Sequence, residues 1–265
     1  MKILIKGAGD LASGIAFRLF RAGYTIWMTD LPVPTAVRRT VSFSSAVYQN
    51  SIEIEHVTAR YAKDFDSAMQ IENNGEIPVF ADPQAKVAHI WKPEVMIDAI
   101  MAKRNIGTTK EDAKLVIGIG PGFCAGTDCH CVIETKRGHY LGKVLESGCA
   151  IANTGIPGEV GGFTIERLIR AGADGIFKPV AQIGEFVLKD TVVAYVADVP
   201  VYAQISGVVR GLLQEGVVVY KGMKAGDIDA RCEKEHCNTI SDKARSIGGG
   251  ALEAVCAYEH RRFAQ

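Results

Sequence analysis

The chain carries no excess charge: across 265 residues, 30 Lys and Arg balance 30 Asp and Glu. Such a surface offers no general electrostatic attraction to nucleic acid or anionic membrane, and neither is expected as a partner. There is also no apolar run near the roughly 20 residues that span a bilayer. The stretch after Met1, Lys2-Ile3-Leu4-Ile5, ends at Gly7 and is too short for a secretion signal. A cytoplasmic protein is expected. Cysteines number seven, an odd count. In a reducing compartment that predicts free thiols, ligands or catalytic groups and no disulfide framework. What is present, 48% hydrophobic and 23% charged residues, is the composition of a globular protein of one large or two ordinary domains.

The densest chemistry lies in Gly118-Ile119-Gly120-Pro121-Gly122-Phe123-Cys124-Ala125-Gly126-Thr127-Asp128-Cys129-His130-Cys131-Val132-Ile133-Glu134-Thr135. It follows Leu115-Val116-Ile117, which reads as a buried strand. Glycine and proline then permit tight backbone paths. Three cysteines with His130 between the last two, flanked by Asp128 and Glu134, have the residue types of a nucleophilic, redox or metal site. The plainer alternative is a glycine-rich turn whose cysteines are small apolar filler.

At the amino end, Lys2 to Lys6 predicts a strand and Gly7-Ala8-Gly9-Asp10-Leu11-Ala12 matches G-x-G-x-x-A. A helix is expected to about Arg21, with Leu11, Ile15, Leu19 and Phe20 on its apolar face. Tyr24 to Thr29 predicts a second strand, ending in Asp30. Gly9 and Asp30 have the spacing of the dinucleotide-binding fingerprint. Its glycines admit a pyrophosphate to the helix N-terminus, and its acid accepts a ribose hydroxyl. Against this, Asp10 stands where the helix begins, able to take the amide donors itself and to repel phosphate. Gly7, Gly9, Asp10, Ala12 and Asp30, with Gly120 and Gly122, are the candidate cofactor-binding residues.

Further along, a helix is expected over Pro34–Tyr48 and another over Asp64–Ile71. Strands are expected over Ser51–Val57, Ile77–Ala81 and Val95–Ala99. His130–Thr135 and Tyr140–Leu145 read as a strand pair. Strands alternating with short helices imply a parallel sheet covered on both faces, with ligands beyond the carboxyl ends of its strands. Residues 153–162, rich in glycine, read equally as an interdomain linker or a ligand loop.

An internal repeat follows. Arg170–Phe177 is echoed by Tyr202–Val209, and Ile183–Asp190 by Glu215–Gly222, at the same offset. The pattern resembles the two half-motifs of the biotinyl/lipoyl barrel-sandwich fold. Carrier domains of that family present a lysine on the hairpin between the halves. Here that hairpin, Val193–Pro200, holds none, so a rigid packing or docking module is expected in place of a swinging arm. In the tail, Cys232-Glu233-Lys234-Glu235-His236-Cys237 has C-x4-C spacing, longer than the C-x-x-C usual for zinc. A helix is expected to about His260. Gly248-Gly249-Gly250 would break it into two short helices, or else serve a close backbone approach.

Taken whole, the chain resembles the accessory-protein family of selenium-dependent molybdenum hydroxylases. The resemblance rests on residues 6–14, Gly120–Phe123, Asp128-Cys129-His130, Glu134-Thr135, Asn153-Thr154-Gly155, Asp227-Ile228-Asp229 and Ile240–Arg245. The N-terminal part is also distantly similar to the Rossmann half of xanthine dehydrogenase accessory factors. The implied fold is α/β: a Rossmann-like domain over 1–160, a barrel-sandwich repeat over 161–231 and a C-terminal helical segment over 232–265 packing on the first domain. The implied role is handling selenium or sulfur for the molybdenum cofactor, with a molybdenum hydroxylase apoenzyme or its maturation machinery as partner and a homo-oligomer as a further option. The cofactor stays open between a nucleotide and the molybdenum cofactor. In that scheme Cys129 carries the chalcogen, His130 aids deprotonation, Asp128 or Glu134 orients it, and Cys124 or Cys237 resolves the adduct. Two other classes stay open, an NAD(P)-dependent oxidoreductase and a metal-binding scaffold.

Overall fold

Strands rich in Ile, Leu, Val and Trp build the first of two units. The computed structural model describes residues 1–263. Contacts divide the chain into one unit of residues 1–34, 42–154 and 240–265, and a second of residues 35–41 and 155–239. That boundary falls inside the glycine-rich 153–162 segment.

In the first unit the strands are β1 (Lys2–Lys6), β2 (Thr25–Asp30), β3 (Ser51–Ile54), β4 (Val57–Ala62), β5 (Ile77–Ala81), β6 (Val95–Asp98), β7 (Leu115–Ile119), β8 (Cys124–Ala125), β9 (Cys131–Ile133), β10 (Val144–Leu145) and β11 (Gly148–Cys149). Nine of these form one sheet in the order β10-β9-β7-β6-β1-β2-β5-β4-β3. From β4 to β9 every neighbouring pair is parallel. Both faces are covered, which is why the strands read as unbroken apolar runs. Leu4, Trp27, Met96, Val116 and Val132 belong to one buried cluster. Trp27 stacks on Trp91 there, with ring centroids 4.2 Å apart. Alternate residues such as Ile3, Ile5 and Ile133 are equally buried and point to the opposite face.

The helices are α1 (Asp10–Arg21), α2 (Ala46–Gln49), α3 (Phe65–Asn73), α4 (Ala88–Trp91) and α5 (Asp242–Phe263). The expected helix over 34–48 is corrected: that segment holds only two 3-10 turns and the single turn of α2. The expected break at Gly248–Gly250 is corrected as well, since α5 runs through it. Its glycines serve close packing: a Cβ on Gly248 would lie 2.7 Å from the Gly14 carbonyl oxygen in α1, and one on Gly250 would collide with the Gly142 carbonyl. The strand expected over 51–57 is the hairpin β3–β4. It turns on Glu55 and His56, both left-handed, as a two-residue turn matched to strand twist requires.

The second unit contains β12 (Leu168–Arg170), β13 (Gly175–Pro179), β14 (Phe186–Val187), β15 (Val192–Val196), β16 (Val199–Tyr202), β17 (Gly207–Leu212), β18 (Val218–Val219) and β19 (Lys224–Asp229). They make two four-stranded antiparallel sheets, β12-β19-β17-β14 and β16-β15-β13-β18. The repeat is visible in the pairing: the first strand of each half, β13 or β17, pairs with the second strand of the other, β18 or β14. Phe177, Val193, Val209, Leu212 and Ile228 fill the core. Two charged pairs are buried beside it, Arg167 with Asp227 and Arg210 with Asp229.

Candidate functional site

Because the strands from β4 to β9 are parallel, the loops that follow them gather at one edge. Strand order reverses there between β1, whose chain continues on the β2 side, and β6, whose chain continues on the β7 side. After β1 the backbone bends at Gly7 (φ +94°), where a Cβ would lie 2.8 Å from the Ala99 oxygen at the end of β6. Only glycine fits so close an approach. The bend is pinned by Gly7 N–H donating to Thr29 O (2.8 Å) and by Ser44 N–H donating to Ala8 O (2.8 Å). Gly9, which has no side chain to offer, is the N-cap of α1. Ala12 is buried where α1 meets the sheet.

Asp30, at the end of β2, accepts from Ala8 N–H at 2.8 Å and Leu31 N–H at 2.7 Å. Burial pushes its carboxyl above the usual 3.8, outweighing those two donors. The sequence motif thus forms a physical unit: the acid of β2 holds the glycine bend of β1. At the start of α5, Lys243 is half-buried. Burial and the Arg137 charge lower its pKa, while Asp10 and Glu134 oppose that. Lys243 thus lies within the field of Asp10 at the α1 N-terminus.

Sequence reasoning missed a buried relay at the same edge. Lys6 Nζ donates to Thr108 Oγ1 (2.5 Å), and Thr108 Oγ1 donates to Asp98 Oδ2 (2.6 Å). Lys6 and Asp98 end adjacent strands in register and lie 3.6 Å apart. The signal was a charged residue closing each of two apolar strands. The relay ties down the loop after β6, where Met101 and Lys103 adopt left-handed backbone, a conformation that is strained for such side chains. Gly120 and Gly122 lie at this edge as packing glycines: a Cβ would meet Thr135 Oγ1 at 2.5 Å in the first case and Arg104 Cα at 2.5 Å in the second.

The proposed sulfur site does not assemble. Cys129 is fully buried, and burial pushes its thiol up to about 11. His130 faces away from any base role toward it, since its Nδ1 accepts Val116 N–H at 2.9 Å where the chain enters the amino end of β9. Asp128 is spent on Cys124 N–H (2.8 Å). Glu134 accepts from Thr135, Lys136 and Ile151 N–H groups, so its buried carboxylate organises the turn after β9. Cys124 is joined to Cys149 in a disulfide, which also corrects the expectation of free thiols throughout. Cys237 belongs to the second unit, buried, with its thiol toward Val209 O. Cys232 is exposed. Among the described residues no three His, Cys, Asp or Glu are grouped to hold a metal, and no helix is long and apolar enough to cross a membrane.

No protein-family model matches the chain. It is 46% identical over 259 residues to "Uncharacterized protein YqeB" of Escherichia coli (strain K12), a match covering 98% of this chain and 48% of that protein. The chain thus spans about half the length of the curated relative it matches. Among solved structures, an aspartoacylase family protein from Mesorhizobium loti is 11% identical with TM-score 0.29, covering 86% of this chain and 84% of that one. A succinylglutamate desuccinylase from Silicibacter is 12% identical with TM-score 0.26, covering 86% and 84%. Likenesses this weak carry no assignment of fold or activity. The expected resemblance is nonetheless corrected. The relative's description names no such role, and with Cys129 buried and Cys124 held in a disulfide the expected sulfur relay does not form. The expectation of a selenium-dependent molybdenum hydroxylase accessory protein is therefore corrected. The chalcogen-cargo role and the NAD(P)-dependent oxidoreductase are corrected with it.

Proposed function

We propose that the nine-stranded unit binds a ribose-containing nucleotide at the carboxyl edge of its sheet. One observation carries this: the strand order reverses at β1, and the glycine bend, the start of α1 at Gly9 and Asp30 meet at that reversal. The order β5-β2-β1-β6-β7-β9 supports reading the sheet as doubly wound and Rossmann-type, and such sheets take ligands at their switch points. Asp30 receives a ribose hydroxyl on its remaining lone pairs. The amides of α1 face the anionic end of the ligand, and Lys243 offsets Asp10. For the second unit, the reciprocal pairing of its halves supports a barrel-sandwich reading, as a rigid body without a carrier lysine.

Calorimetric titration with AMP, ADP, ATP, adenosine and ribose 5-phosphate tests the reading. Saturable binding of a nucleotide, weakened about tenfold by Asp30→Asn through loss of one charge-assisted hydrogen bond, supports it. Binding that ignores Asp30→Asn, or no binding of any of the five, refutes it. Asp10→Asn is expected to tighten phosphorylated ligands roughly two- to fivefold, the scale of a charge at a helix N-terminus.

A further inference from the structure

The same unit has a second concavity at the opposite, amino edge of the sheet. It is a cleft of about 580 Å³ between the starts of β7 and β9 and the last turns of α5. That volume is in the range of small-molecule sites. Leu115, Val144, Ala254 and Ala257 supply apolar wall. Over it stand His130, Lys114, Glu253 and the ion pair of Arg261 with Glu146 (3.1 Å).

His130 is fixed in a way that surface histidines seldom are. Its backbone N–H donates to Val116 O at 2.9 Å, and its Nδ1 accepts Val116 N–H at 2.9 Å. The imidazole thereby stands in for a missing main-chain acceptor at the end of the β7–β9 ladder. With Nδ1 used as an acceptor, the neutral ring carries its proton on Nε2, a donor held in place at the cleft wall. Lys114 and Glu253 make no hydrogen bond or ion pair among the described residues. The cleft thus offers one uncommitted cation, one uncommitted anion and one oriented neutral donor over an apolar floor. Its charges balance, so a ligand bearing a single charge would leave one side unmatched.

We infer that this cleft binds a small zwitterion of the amino-acid or dipeptide class, its carboxylate toward Lys114 and His130 Nε2 and its ammonium toward Glu253. No role of this kind falls on the carboxyl-edge site, and the inference does not depend on that site's nucleotide.

The test titrates the full chain with the twenty free amino acids and with L-alanyl-L-alanine, followed by calorimetry and saturation-transfer NMR. Propionate, ethylamine and N-acetyl-L-alanine amide are the singly charged and uncharged controls. The expected result is saturable binding of at least one zwitterion, at least tenfold tighter than any control. Lys114→Met and Glu253→Gln should each weaken it about tenfold. Both substituted side chains are exposed, so the variants are expected to fold, and far-UV circular dichroism checks that. No zwitterion bound at about 10 mM, a control bound as tightly, or binding indifferent to both variants would overturn the inference.

Discussion

Three consecutive glycines in α5 should respond to the same substitution in opposite directions. Gly→Ala in a helix interior gains about 1 kcal/mol of propensity, and at Gly249 nothing lies within 4 Å of the added methyl. Gly249→Ala should therefore stabilise the first unit by about 1 kcal/mol. At Gly248 the methyl would sit 2.7 Å from Gly14 O and 3.3 Å from Arg18 Cβ, against roughly 3.5 Å for an ordinary contact. Relieving that overlap means prising α5 from α1, where Gly14 itself faces Ala244 with no space for a side chain. Overpacking costs about 1–3 kcal/mol, which cancels or reverses the propensity gain of about 1 kcal/mol, for a net loss of up to about 2 kcal/mol. Gly250→Ala, driven into the Gly142 carbonyl and 3.0 Å from Ile133 Cγ2, should lose more. Urea unfolding followed by tryptophan fluorescence reports this unit specifically, because both tryptophans, Trp27 and Trp91, stack in its core. Each 1 kcal/mol corresponds to a Tm shift of about 2–4 °C at this size. If Gly248→Ala and Gly250→Ala stabilise the unit as much as Gly249→Ala does, the close approach of these backbones is wrong.

Alkylation of the native protein at pH 8 should label Cys232 and Cys256, which are exposed, and spare Cys129, Cys131 and Cys237, which are buried. A thiol at about 11 is ionised to roughly one part in a thousand at that pH, and peptide mapping that finds Cys129 modified as fast as Cys232 would contradict its burial. In the second unit, burial alone would raise the Asp229 carboxyl, but Arg231 donates to it at 2.6 Å and Arg210 adds its charge, and the net shift is downward. A depressed carboxyl stabilises above its ordinary value of 3.8 and loses that contribution as pH falls through the folded value. Asp229→Asn should therefore speed hydrogen exchange at Val209 and Arg210 near neutral pH, with the difference from wild type shrinking under acid; a difference constant from pH 7 to pH 2 would refute the pairing.

Much of the first unit was readable in the chain because local chemistry and global position agree there. Ile77–Ala81 is a strand as expected, and Asp30 lies beside the Gly7–Gly9 bend, accepting from Ala8 N–H. The repeat of 170–229 survives as reciprocal strand pairing. What failed depended on distant partners. The 34–48 segment has helix-compatible residues, yet part of it, 35–41, is taken into the second unit, with Val37 O accepting Leu212 N–H at 2.7 Å. The cysteine turn looked chemical because composition cannot say which way a thiol points. His130, Asp128 and Glu134 each meet a backbone N–H, and a side chain absorbed by backbone leaves no trace in spacing. The Lys6–Thr108–Asp98 relay joins residues far apart in sequence, so it was invisible without the sheet order.

The nucleotide site proposed at the carboxyl edge of the nine-stranded sheet depends on Asp30. Calorimetric titration of the wild-type chain and of Asp30→Asn with the same nucleotide measures this most directly. Saturable binding to the wild type and an affinity about tenfold lower in the variant are expected. Equal affinities, or no heat of binding in the wild type with any nucleotide tried, would contradict it.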